Sequence, residues 1–178
     1  MSVLSDKSIK KLLDAGVVKN SGYEFINPAS LDLRVGTTAK YQVTEATTHG
    51  WITKWIDVDL TACSEQQPHL IPYGTNLLVA TQEIFYMPTY LAGFVNLKSS
   101  IARQFLQHML AGFIDPGYTA STITLELLNH STKEFAIYPG MRIAQIVFQI
   151  LDQPCEKSYQ ETGRYNNQLA VREAILND

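Results

Sequence analysis

A chain of 178 residues with 46% hydrophobic and 17% charged residues carries enough apolar side chain for one core of ordinary domain size. A formal net charge of −3 excludes a global basic field of the kind that gathers nucleic acid. No apolar run reaches membrane-spanning length and Met1–Lys11 holds no signal core, so a soluble cytoplasmic protein is expected, with no nucleic-acid or membrane partner. The low charge content suggests surface buried in an oligomer. Cys63 and Cys155 form no CxxC pair, which fits a reducing compartment.

In chain order, Ser5 can cap a helix with Asp6 in its first turn, Ile9, Leu12 and Leu13 as its apolar stripe and Gly16 as its end. Leu31, Leu33 and Val35 alternate with Asp32 and Arg34, predicting a strand that stops at Gly36; the two charges on one face suggest an ion pair, buried or exposed. Residues 41–43 and 51–58 read as strands about a His49-Gly50 turn. Residues 77–81 and 83–87 read as two short strands stopped by Pro88, followed by a strand over 92–97 and a short helix over 101–106. Strands over 122–128, 135–137 and 142–151 complete the pattern. Many short strands between Pro/Gly turns predict a mainly β fold, a barrel or a sandwich, over a single domain 1–178. The tail from Tyr159 is polar, with a helical pattern only in its last residues, and is either frayed or docked.

Three pieces carry chemistry. Lys98-Ser99-Ser100-Ile101-Ala102-Arg103 joins two cations and two hydroxyls to a strand-to-helix junction. It suits an anion such as a phosphate, and equally suits a plain serine cap with solvated charges. Ile114-Asp115-Pro116-Gly117 is by itself only a turn. Glu126 stands among Ile123, Leu125, Leu127 and Leu128. It is either a partly buried acid with a raised pKa, fit for proton transfer, or a strand glutamate facing solvent like Thr124. His49, His69, His108 and His130 show no metal-ligand spacing, and the zinc deaminase signature is absent.

Taken together, these motifs resemble the dCTP deaminase branch of the trimeric dUTPase-like family. The resemblance rests on residues 27–36, on Lys98 to Arg103, on residues 111–117, on Ile123 to Leu127, on Tyr138-Pro139-Gly140-Met141-Arg142-Ile143-Ala144-Gln145, and on Gly163-Arg164-Tyr165-Asn166-Asn167-Gln168. It implies a distorted β-barrel, a homotrimer with sites between subunits, and a nucleoside triphosphate whose phosphates carry Mg²⁺. It casts Lys98, Ser99, Ser100 and Arg103 on the phosphates and the reacting end of the base, and Asp115 on the 3′-hydroxyl. Thr124 and Leu125 would meet the base through their backbone. Glu126 would be the proton shuttle, with Ser99 and Arg103 helping to place the water. Tyr159, Arg164 and Gln168 would close from a tail, 158–178, acting as a lid. The activity implied is zinc-independent deamination of dCTP to dUTP and ammonia, which supplies dUTP for dUMP and dTTP synthesis. Feedback by dTTP is known in some members. Phe113, where relatives carry Trp or Arg, leaves room for a bifunctional dUMP-forming enzyme. The same motifs also fit a dUTPase, or a nucleotide-binding regulatory relative without turnover. The segment from Asp115 to Glu126 is about one residue longer than the family pattern, so a bulge must absorb it if the facing of Glu126 is kept.

Overall fold

The computed structural model describes residues 2–109 and 112–176; Ala111, in one of the resemblance motifs, lies outside them, as do the last two residues of the tail. A two-residue strand, β1 (Ser2–Val3), precedes the predicted helix, α1 (Asp6–Asp14), which buries Ile9 and Leu12. Gly16 ends it at φ +72, a left-handed conformation that glycine adopts at no steric cost. The chain continues through β2 (Val18–Lys19), β3 (Ile26–Asn27), β4 (Ser30–Thr47), β5 (Gly50–Asp59), β6 (His69–Ile71), β7 (Asn76–Tyr86) and β8 (Leu91–Leu97). A short helix, α2 (Ser99–Ala102), is followed by β9 (Leu106–His108), β10 (Phe113–Ile114), β11 (Thr119–Asn129), β12 (Phe135–Ile137), β13 (Arg142–Ile150) and α3 (Tyr159–Thr162).

The main sheet runs β10-β8-β13-β4-β7-β11-β9 and is mostly antiparallel, curling into a half-barrel. The mainly β, distorted-barrel expectation is therefore met. β4 joins the two halves: its first residues pair with β13, its middle with β7 and its distal part with β5. Alternation in these strands points Leu31, Leu33, Val35, Val79, Leu125, Ile146 and Phe148 into the core, all at zero exposure.

Four local expectations fail for tertiary reasons. β4 does not stop at Gly36. A Cβ there would lie 2.9 Å from the carbonyl oxygens of both Ala80 and Thr81, so the glycine permits close approach of β4 to β7 where their register shifts. The two strands predicted over 77–87 are one strand, whose register with β11 jumps between Ala80 and Ile84; Thr81 Oγ bridges the irregularity by accepting from Ile123 N at 3.0 Å. Asp32 and Arg34 are not partners of one another. Asp32 is almost fully buried and receives Lys98 Nζ at 2.5 Å and Asn27 Nδ2 at 2.8 Å, with Arg142 at 3.5 Å. Arg34 instead binds the fully buried Glu83 through Nε at 2.8 Å and its backbone N–H at 2.9 Å. Finally, the helix after β8 ends at Ala102, not Leu106. Lys98, not a serine, occupies its N-cap without a side-chain cap bond, and Phe105 at φ +62 turns the chain into β9.

The tail is docked. Pro116 O accepts from Tyr159 N at 2.8 Å, and Thr122 N donates to Gln168 O at 2.8 Å. Gly117, at φ +86, has no Cβ to meet Ser158, which a side chain would approach to 2.8 Å. The helical turn of the tail is α3, and residues 171–176 have no helix.

Candidate active site

A bulge opens the strand that carries Glu126. Thr119 pairs with Tyr86 and Ser121 with Phe85, leaving Ala120 as an extra residue at φ +49. A second irregularity falls between Thr122 and Thr124; from Ile123 onward β11 alternates, with Ile123, Leu125 and Leu127 buried while Thr124 and Glu126 face outward. That outward face floors a cleft of about 580 Å³, lined by Asp115, Tyr118, Thr124, Glu126, Tyr159 and Gln168 and extended by Gln42, Trp55 and Asn76 of the β4, β5 and β7 strands.

Glu126 is intermediate between the two readings of the sequence. Its side chain is 35% exposed, yet its Oε2 is buried and has no hydrogen-bond partner among the described residues. Desolvation raises its pKa, and its own backbone N–H only partly offsets this. His108, on β9 beside it, puts Nε2 3.7 Å from Oε2, too far for a hydrogen bond. Burial lowers the His108 pKa and so disfavours a charged imidazolium beside Glu126. Asp115, at the other end of the cleft, also has its pKa raised by burial.

Beside Glu126, the free edge of β11 is interrupted. Gln168 O accepts from Thr122 N, and Met109 N donates to Glu126 O at 3.1 Å, both on the edge away from β7. Thr124 lies two residues from each, so the alternation of an antiparallel strand turns its N–H and C=O to the same edge. Among the described residues no backbone partner meets Thr124 there. Thr124 thus lies on this edge between the rungs held by the tail and by Met109. Gln168 Nε2 reaches Thr124 Oγ at 3.0 Å, while its Oε1 is buried. Among the described residues, neither Glu126 Oε2 nor Gln168 Oε1 has a hydrogen-bond partner.

Of the residues singled out in the sequence, Asp115, Thr124, Glu126, Tyr159 and Gln168 come together in this cleft. Leu125 contributes only backbone, its side chain being fully buried. Arg164 lies on the tail with NH1 donating to Ile175 O at 3.1 Å. Lys98, Ser99, Ser100 and Arg103 do not line the cleft. Lys98 is committed to Asp32; Ser99, Ser100 and Arg103 are exposed on α2 and just beyond it. Sequence reading missed His108, Tyr118 and Trp55 as neighbours of the site. Tyr118 follows the Asp-Pro-Gly turn and its ring meets Tyr159 at 5.6 Å, a signal that motif spacing offers. His108 and Trp55 reach the cleft only through β9–β11 and β4–β5 pairing, which leaves no local trace.

A curled β scaffold with an outward strand carboxylate in a cleft and a docked polar tail makes a candidate small-molecule site. The family model for "dCTP deaminase-like" matches residues 3–151, and the chain belongs to that family. A protein of Methanosphaera stadtmanae named "dCTP deaminase, dUMP-forming" is 34% identical over 174 residues, covering 92% of this chain and 87% of that one. One of Aquifex aeolicus with the same name is 36% identical over 172 residues, covering 95% and 92%. The crystal structure of 2'-deoxycytidine 5'-triphosphate deaminase from Agrobacterium tumefaciens superposes with a TM-score of 0.66 at 27% identity over 83% of this chain; the chain spans about half, 47%, of that protein's length. The relatives' dUMP-forming names conflict with dUTP as the end product, the leading expectation from the sequence.

Proposed function

We propose that this chain is a dCTP deaminase that releases dUMP. The observation carrying the reading is Glu126: a half-buried carboxyl in the cleft, with a raised pKa and an oxygen unpartnered among the described residues. A cytosine ring beside it pairs its edge with the Thr124 backbone and brings C4 to the carboxylate. Glu126 accepts a proton from water as the hydroxide adds to C4 and passes it to the ring nitrogen; it then takes the proton of the new C4 hydroxyl and hands it to the amine, so the C4 carbonyl forms, the C4–N bond breaks and ammonia departs. A second water then attacks the α-phosphorus and pyrophosphate leaves, giving dUMP, ammonia and pyrophosphate from dCTP and two waters. Glu126 does the proton work, so no step is assigned to zinc. Asp115 faces the sugar 3′-hydroxyl.

The cations and hydroxyls at Lys98, Ser99, Ser100 and Arg103 suit phosphate oxygens, with Mg²⁺ arriving on the triphosphate as part of the substrate. Because they lie outside the cleft of their own chain, we assign them to the cleft of a neighbouring subunit in a homotrimer. Exposed Phe105, Met109 and Phe113, at 65%, 58% and 51% exposure, give that neighbour an apolar surface to cover. Arg164 and Gln168 close from the tail, and dTTP competes for the same cleft.

Purified protein incubated with dCTP and Mg²⁺, with nucleotides and pyrophosphate resolved by chromatography, is expected to yield dUMP and pyrophosphate. Accumulation of dUTP supports deamination alone. Binding of dCTP without product refutes the enzymatic reading.

A further inference from the structure

Beyond Gln168 the chain does not leave the cleft. Arg172, Glu173 and Ala174 line it. Val171 N donates to Thr38 Oγ at 3.1 Å, and Glu173 meets Lys40 Nζ at 3.1 Å. Residues two apart on the tail thus engage residues two apart on β4, so the segment lies extended over the outward face of that strand. Its far end folds back: Ile175 N donates to Tyr165 Oη at 3.0 Å, and Ile175 O accepts from Arg164. The result is a closed strap whose two ends are tied to one another and whose middle is tied to the sheet.

Lys40 is the side chain holding that middle. It pairs across β4–β7 with Leu78, which pairs across β7–β11 with Glu126, so Lys40 stands on the same face as the carboxylate, about 10 Å away at two strand spacings. Its side chain is only 17% exposed, and its ammonium lies between Glu173 and Asp57 Oδ1, the latter at 2.7 Å on β5. Asp57 is itself 84% exposed and touches the tail at no atom among the ion pairs of the described residues.

We infer that Lys40 is a positioning residue: by holding Glu173 it seats residues 171–175 across the cleft and so sets Arg164 and Gln168 over bound nucleotide. The kinetic part of this inference rests on the dCTP-deaminating reading; the seating of the strap does not. Hydrogen exchange of the tail, followed by mass spectrometry on the full-length ligand-free protein, reads the seating directly. K40M and E173Q are expected to speed exchange at residues 171–175 by about two- to five-fold, the range open to a half-exposed ion pair. K40R, which keeps the cation, and D57N, which keeps the Glu173 contact, are expected to exchange as the wild type does. In steady state, K40M raises KM for dCTP by a similar factor and leaves kcat unchanged. Wild-type exchange in both K40M and E173Q overturns the inference, as does D57N loosening the strap as much as K40M. Absence of deamination in the wild type removes only the proposed function, because the exchange experiment needs no substrate.

Discussion

Replacing Glu126 by Gln separates chemistry from folding at this site. The carboxyl projects from β11 into the cleft and its Oε2 makes no hydrogen bond among the described residues, so an isosteric amide disturbs no packing. Loss of the proton acceptor is expected to cut kcat for deamination by on the order of 10²–10⁴ or more. Binding of dCTP survives, since the Thr124 backbone is untouched. Stability moves the other way. The folded-state pKa of Glu126 is raised by desolvation, so ionising it in the native protein costs free energy that is absent when the group is protonated. E126Q is therefore expected to melt higher than wild type at pH 7, with the difference vanishing as pH falls below the ordinary carboxyl pKa of 4.5. The checks are single-turnover deamination, calorimetric binding of dCTP, and Tm against pH. An E126Q protein that turns over normally refutes the proton-shuttle assignment. One that melts lower at pH 7, and equally so at pH 4, refutes the account of the carboxyl's environment.

Three further outcomes follow from the same geometry. Gly36→Ala puts a methyl against two carbonyl oxygens at the β4–β7 crossing and is expected to lose about 1–3 kcal/mol in urea unfolding. Glu83→Gln leaves the Arg34 guanidinium without its buried counter-charge and is expected to cost on the order of 3 kcal/mol by the same measurement, with no direct effect on substrate contacts. Gln168→Ala keeps the tail's backbone bonds to Thr122 and Ser121 but removes the amide over Thr124; KM for dCTP is expected to rise by about ten-fold with little change in Tm, and an unchanged KM refutes a substrate role for this residue.

Local pattern determined much of this protein. The apolar stripe of Ile9 and Leu12, the alternation of Leu31, Leu33 and Val35, and that of Ile123, Leu125 and Leu127 each fix an element and its buried face, because side-chain period depends only on backbone geometry. The same alternation set Thr124 and Glu126 on one face, the Pro116-Gly117 turn stood out by composition, and residues 163–168 stood out by their resemblance to a family motif. What it left open was every question of partner. Whether Gly36 ends a strand or lets one pass depends on β7 lying within 2.9 Å of it. Asp32 and Arg34, next-but-one neighbours on one face, part company because Lys98 and Glu83 arrive from other strands. The surroundings of Glu126 turned on His108, Met109 and Gln168, which reach its stretch of β11 by strand pairing and tail docking over long stretches of chain. Lys98 to Arg103 carries the densest chemical signal in the sequence, yet the folded chain holds it away from the cleft that Glu126 occupies. Residue types and their period are local properties and can be read along the chain; burial, register and the closing of a site are set by which distant segments meet, and only the folded sheet decides that.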